Sequence, residues 1–380
     1  MTDLENLDFL VKKANWRETR FQERALPGDP APGQVIFRVD RFAFTANNIS
    51  YASAGDMLGY WRFFPTNPTD PTDPTDEGWG RLPTMGYGDV VASAHPDVAV
   101  GTRCFGFYPM SKFLCIEPSS ASATSIVDGA AHREGISPIY NQYSPVETDP
   151  LYSAEYEDEM ILMRGLFMTS FLSEDALGEN EMYGAEAVLI SSASSKTSIA
   201  LAACVAQGGR ARAIGLTSEG NVEFVRSLGC YDEVFAYEAI PSMPANLAGV
   251  FVDMAGSDRV TRAIHSHFGE NLRHSQRIGA THWEEPLDPA DLPGPEPEFF
   301  FAPAQAQKRI ADWGASGFHD RLSAGWTAFR EASRKWLAVE RGYGRESVSA
   351  VYLDTLEGRT RPDRGQVLSL WENEDAAAGR

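Results

Sequence analysis

The residues best placed to do chemistry lie in one short stretch, Ser191-Ser192-Ala193-Ser194-Ser195-Lys196-Thr197-Ser198. It follows an uncharged run, Ala187-Val188-Leu189-Ile190, and precedes an apolar segment, Ile199–Val205. The first run reads as a buried strand of a parallel sheet and the last as a helix. A strand, a turn of small residues and a helix N-terminus together form a binding site for phosphate. The glycines of a G-x-G-x-x-G loop are missing. Small side chains still let a pyrophosphate reach the backbone, and hydroxyls with one ammonium can bond its oxygens directly. The candidate phosphate contacts are Ser192, Ala193, Ser194, Ser195, Lys196 and Thr197. The structural alternative is an ordinary serine-rich turn with Lys196 in solvent.

Positioning such a loop needs a sheet. Strand-like runs at Arg210–Gly215, Glu233–Phe235, Gly249–Met254 and Phe299–Phe301 alternate with helical segments at Val222–Leu228 and Val260–Phe268. That spacing predicts a doubly wound parallel sheet of the α/β class, with the first βα turn as its nucleotide site. In NAD enzymes an acid at the tip of the second strand binds the ribose hydroxyls. Here the tip reads Gly215-Leu216-Thr217-Ser218, with no acid before Glu219. Thr217 and Ser218 suit a 2′-phosphate, which favours NADP over NAD, with Glu219 as the counter-argument.

Composition narrows the partners. The 380-residue chain carries 53 acidic and 33 basic residues, a net charge of −20. Such a surface disfavours nucleic acid and anionic membranes. The length suits two domains. The first 13 residues include Asp3, Glu5 and Asp8 and do not read as a signal peptide. No apolar run is long enough to span a bilayer. A soluble, cytoplasmic protein is expected. Cys104, Cys115, Cys204 and Cys230 form no C-x-x-C pair and read as buried thiols. His265 and His267 are two apart on a predicted helix, so they point different ways and do not suggest a metal site.

Before the sheet region, residues 1–30 read as polar and helix-like. Gln34–Phe44, Gly86–Ala94, Thr102–Tyr108 and Phe113–Glu117 read as short strands separated by Gly and Pro, as in a small β-barrel. Asn67–Asp76 contains three Pro-Thr-Asp units and reads as an exposed loop. Met160–Leu177 reads as a helix. After the sheet region, Trp283–Glu298 reads as an acidic, Pro-rich loop. Pro303–Trp313 and Leu322–Glu340 read as helices, and Val348–Leu353 and Gln366–Trp371 as strands. A β domain thus encloses the nucleotide domain in sequence.

This layout resembles the medium-chain dehydrogenase/reductase superfamily, in its zinc-free quinone oxidoreductase and enoyl reductase branch. Gly86-Tyr87-Gly88-Asp89-Val90-Val91, with Val100–Gly106, is similar to its G-H-E-x-x-G-x-V … V-G-D-R-V-x-G motif. Val188–Ser198 is similar to V-L-V-x-G-A-x-G-G-V-G, Phe251–Gly256 to V-x-D-x-V-G, and Gly365–Leu368 to the terminal G-K-V-V. The Ser-Ser-Ala-Ser-Ser-Lys-Thr turn more closely resembles the DUF2855 family, whose name carries no activity.

The resemblance implies a GroES-like substrate domain over 1–165, a Rossmann dinucleotide-binding domain over 166–314, and a segment over 315–380 returning to the first. It implies a small-molecule or acyl substrate and is compatible with a homodimer. The His and Glu of the barrel motif are Gly86 and Tyr87 here, so no metal is expected. Without zinc, O–H or N–H donors must stabilise a developing oxyanion. Tyr60, in Gly59-Tyr60-Trp61, is the nearest match to the family's tyrosine, with Tyr51 and Asn48 as further candidates. Each has a structural alternative: Tyr60 as a packed aromatic, Asn48 as a turn residue bonding its own backbone. Thr169 falls where the family lines the nicotinamide pocket, or is a helix threonine bonded to the preceding turn. Ala255, Gly256 and Phe301 complete the implied cofactor contacts. The expected activity is zinc-independent, NADPH-dependent reduction of an activated C=C or C=O bond. A non-catalytic nucleotide- or acyl-binding protein, or a redox-neutral lyase or hydratase on the same fold, remains open.

Overall fold

The computed structural model describes residues 4–26, 28–53, 55–57, 59–66, 78–278 and 292–377. The Pro-Thr-Asp units at 67–76 and residues 283–291 of the acidic loop lie outside the described residues. The chain divides into two compact units, Met1–Leu162 with Leu337–Arg380, and Met163–Trp336. Residues 315–336 thus fall in the second unit, whereas the sequence reading grouped them with the C-terminal segment.

The first unit opens on a β-hairpin, not the helix expected for residues 1–30. Strand β1 (Leu4–Lys12) pairs antiparallel with β2 (Asn15–Leu26), and β4 (Trp79–Gly80) adds to β1. Part of the polar content that suggested a helix is buried in pairs instead. Asp8 is 2% exposed and receives Arg81 Nη1 at 3.2 Å. Leu7, Phe9 and Val11 alternate into the core, a strand period.

The larger sheet contains β3 (Val35–Phe44), β5 (Pro83–Ser93), β6 (Arg103–Pro109), β7 (Phe113–Ile116), β8 (Pro118–Ala121), β9 (Ile126–Asp128) and β10 (Gln142–Pro145). From the end of the chain β17 (Ala338–Tyr343) and β18 (Arg364–Ser369) join it beside β3. Helix α1 (Ala46–Ser53) follows β3. The expected strand at Val348–Leu353 is instead part of helix α7 (Gly344–Leu356). Val348, Tyr352 and Thr355 are among its buried positions, spaced four and three apart, which is a helical stripe. Short helix α8 (Glu374–Ala377) ends the described chain.

Helix α2 (Glu157–Glu179) carries the chain into the second unit. The strands there are β11 (Ala187–Ile190), β12 (Arg212–Thr217), β13 (Glu233–Ala236), β14 (Gly249–Asp253), β15 (Leu272–Arg277) and β16 (Glu298–Phe299). They form one sheet in the order β13-β12-β11-β14-β15-β16, all parallel. Helices α3 (Lys196–Gly208), α4 (Val222–Ser227) and α5 (Asp258–Phe268) connect them. Successive side chains of β11 feed opposite faces. Val188 and Ile190 pack with Leu201 and Val205 of α3, whereas Leu189 packs with Val260 and Ile264 of α5. The sheet is therefore covered on both sides, as its uncharged central strands require.

Strand β15 is absent from the sequence reading because Arg273-His274-Ser275-Gln276 is polar. Three of these four side chains are buried with partners. His274 stacks on Tyr183 at 4.1 Å, Ser275 Oγ meets His265 Nε2 at 3.0 Å, and Gln276 Oε1 accepts from Ser173 Oγ at 2.5 Å. The helices expected at Pro303–Trp313 and Leu322–Glu340 form α6 (Ala302–Ser333), interrupted at Gly314, whose φ is 73°, and the second stops short of its expected end because residues 338–340 belong to β17.

Candidate functional site

The strand order of the second unit reverses between β11 and β14, and the crevice beyond their carboxyl ends is where such sheets bind ligands. The loop from β11 into α3 stands there. Ser192 has φ 51°, a left-handed conformation that favours glycine. The superfamily motif has glycine at this position, so the backbone keeps the glycine shape with a serine side chain. Its N–H donates to Tyr237 Oη at 2.9 Å. Ala193 is fully buried, and its N–H donates to Leu216 O at 3.0 Å. Gly215 permits this approach: a Cβ there would stand 3.0 Å from the Ala193 methyl and from the Tyr231 ring.

Ser195 caps α3, its Oγ accepting from Ser198 N at 3.2 Å. Ser198, at the loop's last family glycine, is fully buried and donates its hydroxyl to Ser191 O at 2.8 Å. Ser195 and Ser198 are thus occupied in shaping the loop. Ser194, Lys196 and Thr197 are half-buried on it.

At the adenosine end Thr217 and Ser218 differ. Thr217 is 1% exposed, while Ser218 is exposed. The structure adds Asn221, which sequence reasoning missed. Its Nδ2 lies 3.2 Å from Ser194 Oγ and 3.1 Å from Ser218 Oγ, joining the first loop to the second strand tip. An Asn a few residues beyond a strand end carries no motif, so only the fold reveals the link.

The third wall is the turn after β14. Asp253, 3% exposed, accepts from Ser191 Oγ at 2.7 Å, from the N–H groups of Ala255 and Gly256 at 3.0 Å each, and from Thr261 Oγ1 at 3.2 Å. Burial pushes its carboxyl above the ordinary range, against the pull of these hydrogen bonds. Ala255 and Gly256 line the switch point with their N–H groups turned to Asp253. Thr169 of α2 donates to Gly165 O at 3.1 Å, within its own helix. Phe301 is 42% exposed after the edge strand β16, two strands from β14. Ser170, the neighbour of Thr169, donates its hydroxyl to Thr197 O of the loop at 2.8 Å.

These features fit a dinucleotide in part through backbone shape: a left-handed turn, a buried alanine against Gly215 and a helix N-terminus. Ser194 and Lys196 are half-buried on the loop, and Ser218 is exposed at the tip of β12.

The remaining candidates lie in the first unit. Asn48 shapes the start of α1: its Oδ1 accepts from Thr45 N at 2.8 Å, and its Nδ2 donates to Pro83 O at 2.9 Å. Tyr60, 8% exposed, packs against Tyr51 at 4.4 Å and Phe63 at 5.3 Å between ring centres. Its hydroxyl is 3.5 Å from that of Tyr140. Burial holds Tyr51, Tyr60 and Tyr140 protonated past the ordinary tyrosine range.

At the barrel motif Tyr87 is fully buried with its hydroxyl 3.4 Å from Met160 Sδ, and Asp89 pairs with Arg103 at 3.0 Å. Gly86 and Tyr87 present neither imidazole nor carboxylate. Among the described residues no group of three or more His, Cys, Asp or Glu is arranged to hold a metal ion. The four cysteines are free thiols; burial raises Cys115 and Cys230 to about 11. No described helix is long and apolar enough to cross a membrane.

The fold matches solved structures along nearly its whole length. CurA from Vibrio vulnificus in complex with NADPH is 11% identical with a TM-score of 0.57, covering 97% of this chain and 99% of that one. The YhdH oxidoreductase from Salmonella enterica in complex with NADP is 12% identical with a TM-score of 0.54, covering 96% and 99%. The CurK enoyl reductase is 14% identical with a TM-score of 0.52, covering 96% and 99%. No protein of curated function matches the chain. The chain therefore has the medium-chain reductase fold, a GroES-like domain with a Rossmann domain. It belongs to the family described as Protein of unknown function (DUF2855), whose model matches residues 42–361.

Proposed function

We propose that this protein is a zinc-independent, NADPH-dependent oxidoreductase that reduces an activated C=C or C=O bond of a small-molecule or acyl substrate. The observation that carries the reading is Ser192: a serine held in the left-handed conformation of a phosphate-loop glycine, at the sheet's switch point. The helix N-terminus with Lys196 receives the pyrophosphate. Ser194 and Ser218, held by Asn221, receive the 2′-phosphate. NADPH, when bound, supplies hydride. Tyr60, kept protonated, donates a hydrogen bond to the substrate oxygen that gains charge. Tyr60 or water supplies the proton. Cytoplasmic location is part of this reading, as the compartment that holds NADPH and reduced thiols.

Fluorescence titration of the purified chain with NADPH and NADH tests it, followed by NADPH oxidation with cyclohexenone and a quinone as probes. Tighter binding of NADPH and turnover of either probe is expected. Equal affinity for NADH removes the 2′-phosphate argument. Binding without turnover of any activated carbonyl identifies the non-catalytic or redox-neutral alternative.

A further inference from the structure

The tyrosine cluster of the first unit has a geometry that one candidate donor does not explain. Tyr60 and Tyr140 come from segments 80 residues apart. Their rings meet edge to face at 6.0 Å, and both pack on Phe63 at 5.3 Å. Tyr140 also meets Phe107 at 5.3 Å. Tyr51 packs on Tyr60 as well. Tyr51 and Tyr140 are half-buried, so the cluster has a side open to solvent.

The two hydroxyls stand 3.5 Å apart. A good O–H···O bond is about 2.7–2.8 Å, so they are too distant to satisfy each other well. An oxygen about 2.7 Å from both closes an ordinary triangle with them, and each phenol then donates to it. Two donors converging on one acceptor is the arrangement that stabilises a developing oxyanion. Burial is the main cause that holds both phenols protonated, and neither a cation nor a carboxylate contributes. The rings packed on the pair are aromatic.

We propose that Tyr60 and Tyr140 form a two-donor cradle for the carbonyl oxygen of a neutral, flat, conjugated carbonyl compound. This rests on the reductase reading for its role in turnover, but the cradle itself needs no nucleotide. Tyr140 is then a second catalytic donor, and with no charged partner at the hydroxyls the charge on the oxygen is stabilised by the two O–H groups alone. The chemistry recognised is an oxygen that becomes enolate- or phenolate-like.

A phenolate is a stable mimic of that oxygen. The full-length chain, without nucleotide, is titrated with para-nitrophenol and the bound anion followed by its visible absorbance. Saturable binding is expected, and Tyr60→Phe and Tyr140→Phe should each weaken it about tenfold to a hundredfold. In turnover of cyclohexenone, Tyr140→Phe should lower kcat about a hundredfold with little change in KM. Circular dichroism and NADPH titration of the same samples report on folding and on the nucleotide site. Nitrophenolate binding by Tyr140→Phe equal to the wild type overturns the second donor, and absence of saturable binding by the wild type overturns the cradle. Wild-type protein that binds nitrophenolate but not NADPH overturns the reductase reading and leaves the cradle standing. Should Tyr60→Phe not fold, Tyr140→Phe alone decides, because Tyr140 is the more exposed of the pair.

Discussion

Ser191 just after β11 donates its hydroxyl to Asp253 at the end of β14, at 2.7 Å, across the point where the sheet reverses. Ser191 Oγ in turn accepts from the N–H groups of Met254 and Ala255 at 2.8 and 3.0 Å. One hydroxyl and one carboxylate thus fix two loops to each other at the candidate nucleotide site.

This pairing separates shape from charge. Asp253→Ala removes the buried acceptor of the Gly256 N–H and of the Ser191 and Thr261 hydroxyls and should cost about 2–4 kcal/mol. Asp253→Asn keeps the Oδ1 acceptor and presents its amide to the Thr261 hydroxyl, so it should cost less than about 1 kcal/mol at neutral pH. The Asp253 pKa is raised in the folded state, chiefly by burial. Its contribution to stability is therefore present in full below the unfolded value and lost as pH rises through the folded value. The wild type should gain on the Asn variant as the solution is acidified. Urea unfolding of both variants across pH measures this, and an opposite slope rejects the assignment to Asp253.

Glu157 should behave with the opposite sign. Arg103 grips it with two bonds, Nε to Oε1 at 2.8 Å and Nη2 to Oε2 at 2.9 Å, and also meets Asp40 at 2.6 Å and Asp89 at 3.0 Å. Burial raises the Glu157 pKa, but the bonds and charge of Arg103, then Arg41, override it and the net shift is downward. The stabilisation is present above the unfolded value and lost as pH falls through the folded value. Glu157→Gln should cost about 3 kcal/mol at neutral pH, the usual scale for breaking a buried pair. That difference should fade in acid. A constant difference across pH would show that the substitution acts through packing, not charge.

Ser192 carries strain that glycine would relieve. A non-glycine residue in the left-handed region costs about 1–2 kcal/mol, offset by glycine's greater unfolded-state freedom of about 0.4–1 kcal/mol. Ser192→Gly should therefore stabilise the chain by about 0.5–1 kcal/mol. A lower melting temperature in calorimetry would show that the serine side chain makes a bond worth more than the strain.

The sequence is most readable where a residue's type follows from one local demand. The uncharged β11 and the apolar runs of β12 and β14 announce a sheet buried on both faces. Reading fails where burial is achieved by pairing. Asp8 with Arg81, and His274 with Tyr183, place polar residues in strands that look like exposed helix or loop. The same holds at the site. Ser192 is legible by its place in the loop, but Asn221 and Tyr140 act across 27 and 80 residues of chain, and nothing in their own neighbourhoods marks them. Asn48 is legible as a polar group near the aromatic cluster, yet both ends of its amide bond backbone, so its type reflects the start of α1.

Lys196 gives the most direct test of the nucleotide loop. It is the first residue of α3, half-buried, at a position where the superfamily motif has glycine. The helix N-terminus already favours an anion there, worth about 0.3–1 kcal/mol when exposed. An ammonium in the same first turn adds a charge-assisted bond of about 1.5–3 kcal/mol. Lys196→Ala should then weaken NADPH binding about tenfold to a hundredfold, each 1.4 kcal/mol being about tenfold. Part of the loss should shrink as salt screens the lysine in the wild type. Because Ser195 caps the helix and Ser198 anchors it, the substitution leaves those hydrogen bonds of the loop in place. Fluorescence titration at low and high salt reads both effects. An unchanged NADPH affinity in the folded variant would return the loop to a cradle of backbone N–H groups, with Lys196 serving only the surface of α3.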